Sequence, residues 1–492
     1  MKQSKLIILF LCVFYGIHFH VSGQISLRQM EASLSSGFLI GNTHQQAYFL
    51  RNMAYGTVPS KGSAWATQIN ISQDIDSIAH SPLAIRYAIQ GNLNLGKETR
   101  VLLPEAYLQL ASRKFSLYVG RKREIFGIAD SSLSSGSYIW SGNALPLPKV
   151  QASTKGFVSL GKRQLFAFNT GMAHGWFGSD SVQRYFLHQK WFYGRLGKPE
   201  WRVQLFAGFN HQVQWGGKPI RPYIETQTGK LISDYGNDWA TYLKVVSGIS
   251  RNAQGNGTDI NGLPLNEALN RSGNHLGTID IATQIKFNRF DLMLYRQSIY
   301  EDGSLYFLSN ISDGLTGISL RSLQSKSIIQ QINLEWLRTD NQGGDTDSQN
   351  TVSELRGRDN YFNNSIYSGG WTYKGQVIGT PLLTPLSQLN PALLQGNTTL
   401  INPSAILNNR VKAFSLAISG SYQAWDYQSR LVISSNWGTY GRPLDNVRQV
   451  SFLQNLSYQR GNLHYIARLA FDSGTLYTSQ FGAYVGIRTT IF

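Results

Sequence analysis

The residue types that could do covalent or metal chemistry are sparse and poorly spaced in this chain. Two glycine-lysine stretches approach a phosphate loop: Gly91-x(4)-Gly96-Lys97 and Gly156-x(4)-Gly161-Lys162. Neither is followed by the Ser or Thr that such a loop uses to hold magnesium, and each falls at a strand end, where Gly-Lys makes a turn. There is no G-x-S-x-G and no H-E-x-x-H. Two of the nine histidines fall within the first 23 residues, and the other seven are scattered without ligand spacing. The reading for them is hydrogen bonding in a lumen or at an interface, with no metal. Thr339–Gln349 (TDNQGGDTDSQ) is acidic but lacks the closing Glu and regular Asp spacing of a calcium loop. The one cysteine, Cys12, follows the bulky Phe10-Leu11, which argues against lipidation. These absences favour a protein without catalytic residues, metal or cofactor.

Aromatic residues interleaved with polar ones say more. His174-Gly175-Trp176-Phe177, Tyr185-Phe186-Leu187-His188-Gln189-Lys190-Trp191 and His211-x(3)-Trp215-Gly216-Gly217 lie at strand ends and loops. A pyranose face packs on such a ring while amides, acids and cations bond its hydroxyls. The competing reading is the aromatic girdle of any membrane barrel.

The elements that must carry these residues alternate with period two. Ile85, Tyr87, Ile89, Leu93 and Leu95 share one face, and Arg86, Gln90, Asn92 and Asn94 the other. From Trp201 to Trp215 the odd positions are mostly apolar and the even ones mostly polar. Ile279–Phe287, Ala413–Tyr422 and Leu463–Asp472 repeat the pattern. A soluble sandwich also alternates. These runs are longer than its usual strands of about 5–6 residues, and their polar faces carry Arg, Gln and Asn at strand centres. Pro104–Lys149 combines two short strands joined by a tight turn with a long Ser- and Gly-rich loop that exits through Asn143-Ala144-Leu145-Pro146-Leu147-Pro148. Short turns at one end and long loops at the other are the asymmetry of an outer-membrane barrel. Phe38–Ile40 and Tyr48–Leu50 read as early strands, Tyr55-Gly56 as a turn, and NEALNR within Gly262–His275 as a short helix. The last strand ends with Phe492 off its apolar face, which suggests a bulge near the end.

The chain has 492 residues, 12% of them aromatic and only 15% charged. Residues 1–23 read as a signal peptide: Lys2 and Lys5, the apolar run Leu6–Tyr15, then Val21-Ser22-Gly23. Residues 24–492 would then form one barrel. No later apolar run reaches the ~20 residues of a membrane helix, so a membrane reading requires strands. There are 45 Lys and Arg against 28 Asp and Glu, a net +17 that becomes +15 without Lys2 and Lys5. That balance suits anionic partners such as acidic sugars or lipid phosphates.

Ordered motifs along the chain carry a resemblance. G-R-K-x(4)-G-x(2)-D-x(2)-L-S-S-G-S and N-A-L-P-L-P-K lie in the stretch above. H-G-W-F (174–177), L-H-Q-K-W-F-Y (187–193), H-Q-V-Q-W-G-G (211–217), G-N-H-L-G (273–277), S-D-G-L-T-G (312–317), R-D-N-Y-F-N-N-S-I-Y-S-G-G-W-T-Y (358–373) and I-G-T-P (378–381) follow. Together they resemble the Wzi-type capsule assembly family in its Bacteroidetes-like form. The resemblance implies an all-β transmembrane antiparallel barrel of about 18 strands in the outer membrane. It would act as a non-catalytic, lectin-like anchor for capsular or extracellular polysaccharide. Enterobacterial relatives carry a periplasmic helical bundle, for which Gln24–Asn42 is too short. The other partners would be outer-membrane lipid and lipopolysaccharide, and the barrel assembly machinery during biogenesis. No nucleic acid is implied, and a monomer is expected. A porin and, further off, an outer-membrane hydrolase are the alternative functions. A porin needs an open lumen, whereas an anchor predicts one blocked by inward loops, for which Asn143–Pro148 and Arg358–Tyr373 are candidates. The expected sugar contacts are Trp176, Tyr185, His188 and Trp215, with Asn143, Arg358, Asp359 and Tyr361 as polar or mixed partners.

Overall fold

The computed structural model describes residues 30–491, apart from 74–83, 227–228, 249–270, 302–304, 306, 325, 345–358, 395–397, 400 and 478–479. Eighteen strands form an antiparallel wall. In chain order they are β1 (Met30–Ile40), β2 (Ala64–Gln73), β3 (Ala84–Gly96), β4 (Arg100–Ala111), β5 (Phe115–Arg121) and β6 (Pro148–Thr154). Then come β7 (Phe166–Ser179), β8 (Val182–Leu196), β9 (Val203–Trp215), β10 (Asn274–Lys286), β11 (Phe290–Glu301) and β12 (Gly314–Ser322). The last are β13 (Gln331–Arg338), β14 (Val411–Tyr422), β15 (Trp425–Gly438), β16 (Pro443–Arg460), β17 (Leu463–Gly474) and β18 (Gln480–Thr490). Val158–Leu160 and Lys218–Pro219 extend the same sheet. The wall closes where β1 pairs β18, from Ser33↔Thr490 to Ile40↔Ala483, so no sheet edge is left open.

Alternation decides which way each side chain faces. Ile85 and Ile89, Val203 and Leu205, Ile279 and Ile281, Leu469 and Phe471 are all exposed on the outer surface. Between them Ala88, Gln204, Asp280 and Ala470 point inward and are buried, as is Gln90 next to Ile89. A wall apolar outside and polar inside is stable only with lipid around it. The ladder shifts between Gln90 and Asn92, opposite the segment of β4 that holds Pro104. Proline has no N–H for the ladder, and a bulge accommodates it.

One end of the wall carries mostly short turns, such as 112–114, 287–289 and 461–462. The other carries the long connections 41–63, 122–147, 216–273 and 339–410, and is taken as the outer end. Three of these connections turn into the lumen. The first includes helix α1 (Tyr48–Arg51), with Tyr48 and Arg51 buried. The second buries Leu133, Tyr138, Ile139, Trp140 and Leu147, and the third Tyr361, Phe362, Trp371, Ile378 and Leu383. All three join one apolar cluster with the inward faces of the strands. Both stretches singled out for inward folding therefore lie inside, apart from Arg358, which is outside the described residues.

Polar side chains of the inner wall anchor this plug. Glu335 accepts from Ser134 Oγ, Ser135 N, Ser135 Oγ and Tyr295 Oη, each at 2.6 Å. Asp130 accepts from Ser319 Oγ at 2.6 Å, and Asp280 from the Ile128 amide at 2.7 Å. Trp371 Nε1 donates to Ile139 O at 2.8 Å, tying one loop to another. At Gly379 a Cβ would come within 2.2 Å of Tyr138 O and 2.5 Å of the Phe362 ring, so glycine is what lets these two loops touch.

Several local expectations differ from the structure. Tyr48–Leu50 belongs to α1, because this short apolar run has no alternation to commit it to a strand. β18 pairs β17 without interruption from Asp472↔Gln480 to Leu463↔Thr489, so no bulge occurs there, and Phe492 lies outside the described residues. NEALNR also lies outside them. The longest helix among the described residues is α2 (Trp239–Ser247), capped by Asp238, whose carboxylate accepts from Thr241 N, and closed by Gly248 at φ 67°.

Candidate functional site

At the outer end a cavity of about 630 Å³ lies between the β3–β4 hairpin and the first and third inward loops. Its charged lining is Arg51, Lys61, Arg100, Arg121 and Lys374, against the single carboxylate Glu98. Lys61 pairs Glu98 at 3.2 Å with both side chains well exposed, so four cations remain over. Arg121 donates to Tyr373 Oη at 3.1 Å, and Arg121 and Lys374 both lie within about 6 Å of the Tyr373 ring centre. Arg51 donates to Gln388 Oε1 at 3.0 Å, and Gln388 Nε2 faces Gln376 Oε1 at 3.3 Å. Burial pulls the Arg51 guanidinium down from its usual range, and the nearby Tyr477 and Asp472 oppose this. The arrangement offers amides for hydroxyl groups and fixed cations for acidic ones.

Of the eight residues expected from sequence, Arg358 lies outside the described residues and the other seven do not converge on this cavity. Asn143 is buried where the three inward loops meet. Its Nδ2 donates to Val377 O at 2.9 Å, while its Oδ1 accepts from Met53 N at 3.1 Å. Tyr361 is fully buried and donates to Asp313 Oδ2 at 2.9 Å, and burial holds its hydroxyl well above the usual phenol range. Tyr185 faces the lumen and stacks on Phe177 at 4.5 Å. Asp359 is buried beside Gln342, whose carbonyl accepts its amide at 2.9 Å.

Trp176, His188 and Trp215 do come together, on the outside of the wall. Trp176, Phe186 and Trp215 are direct neighbours across β7, β8 and β9. One step nearer the membrane lie His174, His188, Val213 and His275, again in register. Helix α2 covers this patch, with Tyr242 5.0 Å from the Trp215 ring and 5.7 Å from His188. His211 Nε2 and His275 Nδ1 are 2.9 Å apart. Histidines far apart in sequence are thus neighbours in space, but among the described residues no group of His, Cys, Asp or Glu has metal-holding geometry.

Sequence reasoning missed the cavity cations. Lys61, Arg100, Arg121 and Lys374 lie in separate loops and strand ends with no common motif; Arg121 stands in the quoted G-R-K, and for the other three the net basic charge was the only signal.

The family model described as capsule assembly protein Wzi matches residues 39–383. The chain belongs to the Wzi capsule assembly family. The match runs from the end of β1 through the first two inward loops and into the third, so much of the plug and most of the cavity lining fall within the matched region. Among solved structures the similarity is of shape alone. OccK5 (OpdH) of Pseudomonas aeruginosa is 11% identical, with 95% of this chain and 99% of that chain covered and a TM-score of 0.46. OccAB4 of Acinetobacter baumannii is 7% identical, with 94% and 97% covered and a TM-score of 0.45. No curated protein matches the chain. Membership of the Wzi family and the closed barrel make this a capsule-associated outer-membrane protein.

Proposed function

We propose that this Wzi barrel holds an acidic capsular or extracellular polysaccharide at the cell surface, as a lectin does, without covalent chemistry. It would reach the outer membrane after cleavage of residues 1–23 and act as a monomer. The observation that carries this reading is the plugged lumen with a cation-lined cavity left at its outer end. A solute channel needs a continuous wet path, and the apolar cluster across the lumen works against one. The cavity gives a charged polymer cations and amides at the surface where capsule is held. Each exposed ionic contact contributes little, roughly 0.2–1 kcal/mol, so retention would come from repeated contacts along the polymer.

The test is binding of acidic capsular oligosaccharide to the purified, folded barrel. Substituting Lys61→Gln, Arg100→Gln and Lys374→Gln together should weaken binding and flatten its dependence on salt. Unchanged affinity in a barrel that still shows heat-modifiable gel mobility would reject the cavity as the site. Turnover of oligosaccharide or lipid by the purified protein would reject the non-catalytic reading.

A further inference from the structure

The outer wall carries a second cationic feature, on the lipid side. Trp336, Phe414, Ile433 and Val450 are direct neighbours across β13, β14, β15 and β16. Trp336, Phe414 and Ile433 are exposed and form the upper edge of the apolar belt on this side. One step further out the row reads Arg338, Lys412, Ser435 and Arg448, paired in the same register. Parity puts these side chains on the outer face too. Three strand spacings separate Arg338 from Arg448, about 14 Å at 4.7–4.9 Å per strand. Apolar wall thus gives way to cations within one step, at the level where acyl chains give way to headgroups.

Asp340 occupies one end of the row. It accepts from Arg338 Nε at 2.7 Å and pairs Lys412 at 3.1 Å, holding both side chains in place. Lys412 also lies 5.3 Å from the centre of the Trp437 ring. Just above, Arg410 sits 4.0 Å over the Tyr440 ring and donates to Asp340 O at 3.4 Å. The Arg448 guanidinium is exposed and has no side-chain partner among the described residues. Four cations against one carboxylate leave a clear positive excess facing the membrane surface.

We propose that this row binds the phosphorylated headgroup of an outer-leaflet glycolipid. Its phosphates would meet Arg448, Lys412 and Arg410 while its acyl chains lie on Trp336, Phe414 and Ile433. Two things select this partner. Phosphate oxygens are the complement of Arg forks and Lys ammonium groups. The row is also continuous with the lipid-facing belt, so its ligand must carry a hydrocarbon part directly beneath its anionic part. The polysaccharide cavity opens at another part of the rim, and neither site depends on the other.

The test uses the full barrel in detergent and compares its affinity for bis-phosphorylated lipid A with that for the dephosphorylated lipid. R448Q and the double variant K412Q/R448Q are measured alongside. Arg448 has no described side-chain contact to lose, so R448Q should fold normally. Wild type should prefer the phosphorylated lipid. Each cation removed should weaken that lipid roughly ten-fold and leave the dephosphorylated one unchanged. An excess of inorganic phosphate should not displace the lipid. Equal binding of the two lipids, unchanged affinity in R448Q and the double variant, or displacement by free phosphate would each overturn the proposal.

Discussion

Glu335→Ala probes what holds the plug in place. The Glu335 carboxylate is buried and collects four donors at 2.6 Å, three of them from Ser134 and Ser135 of the second inward loop. Arg430 approaches from the neighbouring wall and donates to Ser134 O at 3.1 Å. Truncation removes the acceptor, leaves buried donors unpaired and takes away one of the two carboxylates, the other being Asp130, that face the Arg430 guanidinium. Breaking such a buried charged set costs about 3–5 kcal/mol. Most of that cost falls on the local opening of the loop, because the wall keeps its own ladder. At about 1.4 kcal/mol per decade, amide exchange in Leu133–Trp140 should accelerate by roughly two to four decades. Exchange in β12 and β13 should change little. Glu335→Gln keeps one acceptor oxygen and should fall between. The assay is hydrogen–deuterium exchange by mass spectrometry on the barrel in detergent. Unchanged exchange in Leu133–Trp140, or acceleration spread evenly over the wall, would refute the reasoning.

Further outcomes follow from the same geometry. Trp215→Ala should lower the thermal stability of the barrel by about 3–5 kcal/mol, because Trp215 is buried under α2, yet leave oligosaccharide binding unchanged, and a calorimetric scan beside a binding titration checks both. Trp176→Ala should cost less than Trp215→Ala in the same scan, since Trp176 is 40% exposed towards lipid. Acid should loosen the plug. Burial raises the Glu124 carboxyl, but Lys149 at 2.8 Å and the Tyr118 hydroxyl outweigh it and hold Glu124 below the usual carboxylate range. A depressed carboxyl contributes its stability above the unfolded value of about 4.3 and loses it as the pH falls through the folded one. Exchange in the second inward loop should therefore be flat from neutral pH down to about 5, after correction for intrinsic rates, and rise below about 4.

The wall was legible because lipid outside and an inner face rich in polar groups impose a two-residue period on the strands. Ile85, Ile89 and Leu95 announced β3, and Val203, Leu205 and Phe209 announced β9, with the faces as built. The turns were legible from Gly and from polar doublets. The plug was visible only as two loops rich in aromatics and small residues, because its partners lie across the lumen. Nothing near Ser134 in sequence points to Glu335. The candidate site was the least legible part. Asn143, Tyr185 and Tyr361 carry hydroxyls, amides and rings of the kind that bind sugar, but the same groups also seal a packed interior, which is where they lie. The four outer-wall histidines share no sequence spacing, because cross-strand register places them together. The cavity cations are likewise brought together by loops and strand ends that are far apart in sequence.

The cavity at the outer end of the closed barrel is proposed to retain polysaccharide on the cell surface. The most direct measurement is the ratio of cell-bound to shed capsular polymer in cells whose only copy of this protein carries K61Q, R100Q and K374Q. The account predicts normal total polymer, normal barrel in the outer membrane, and a larger shed fraction than with wild type. A wild-type ratio with that variant folded in the membrane would contradict it.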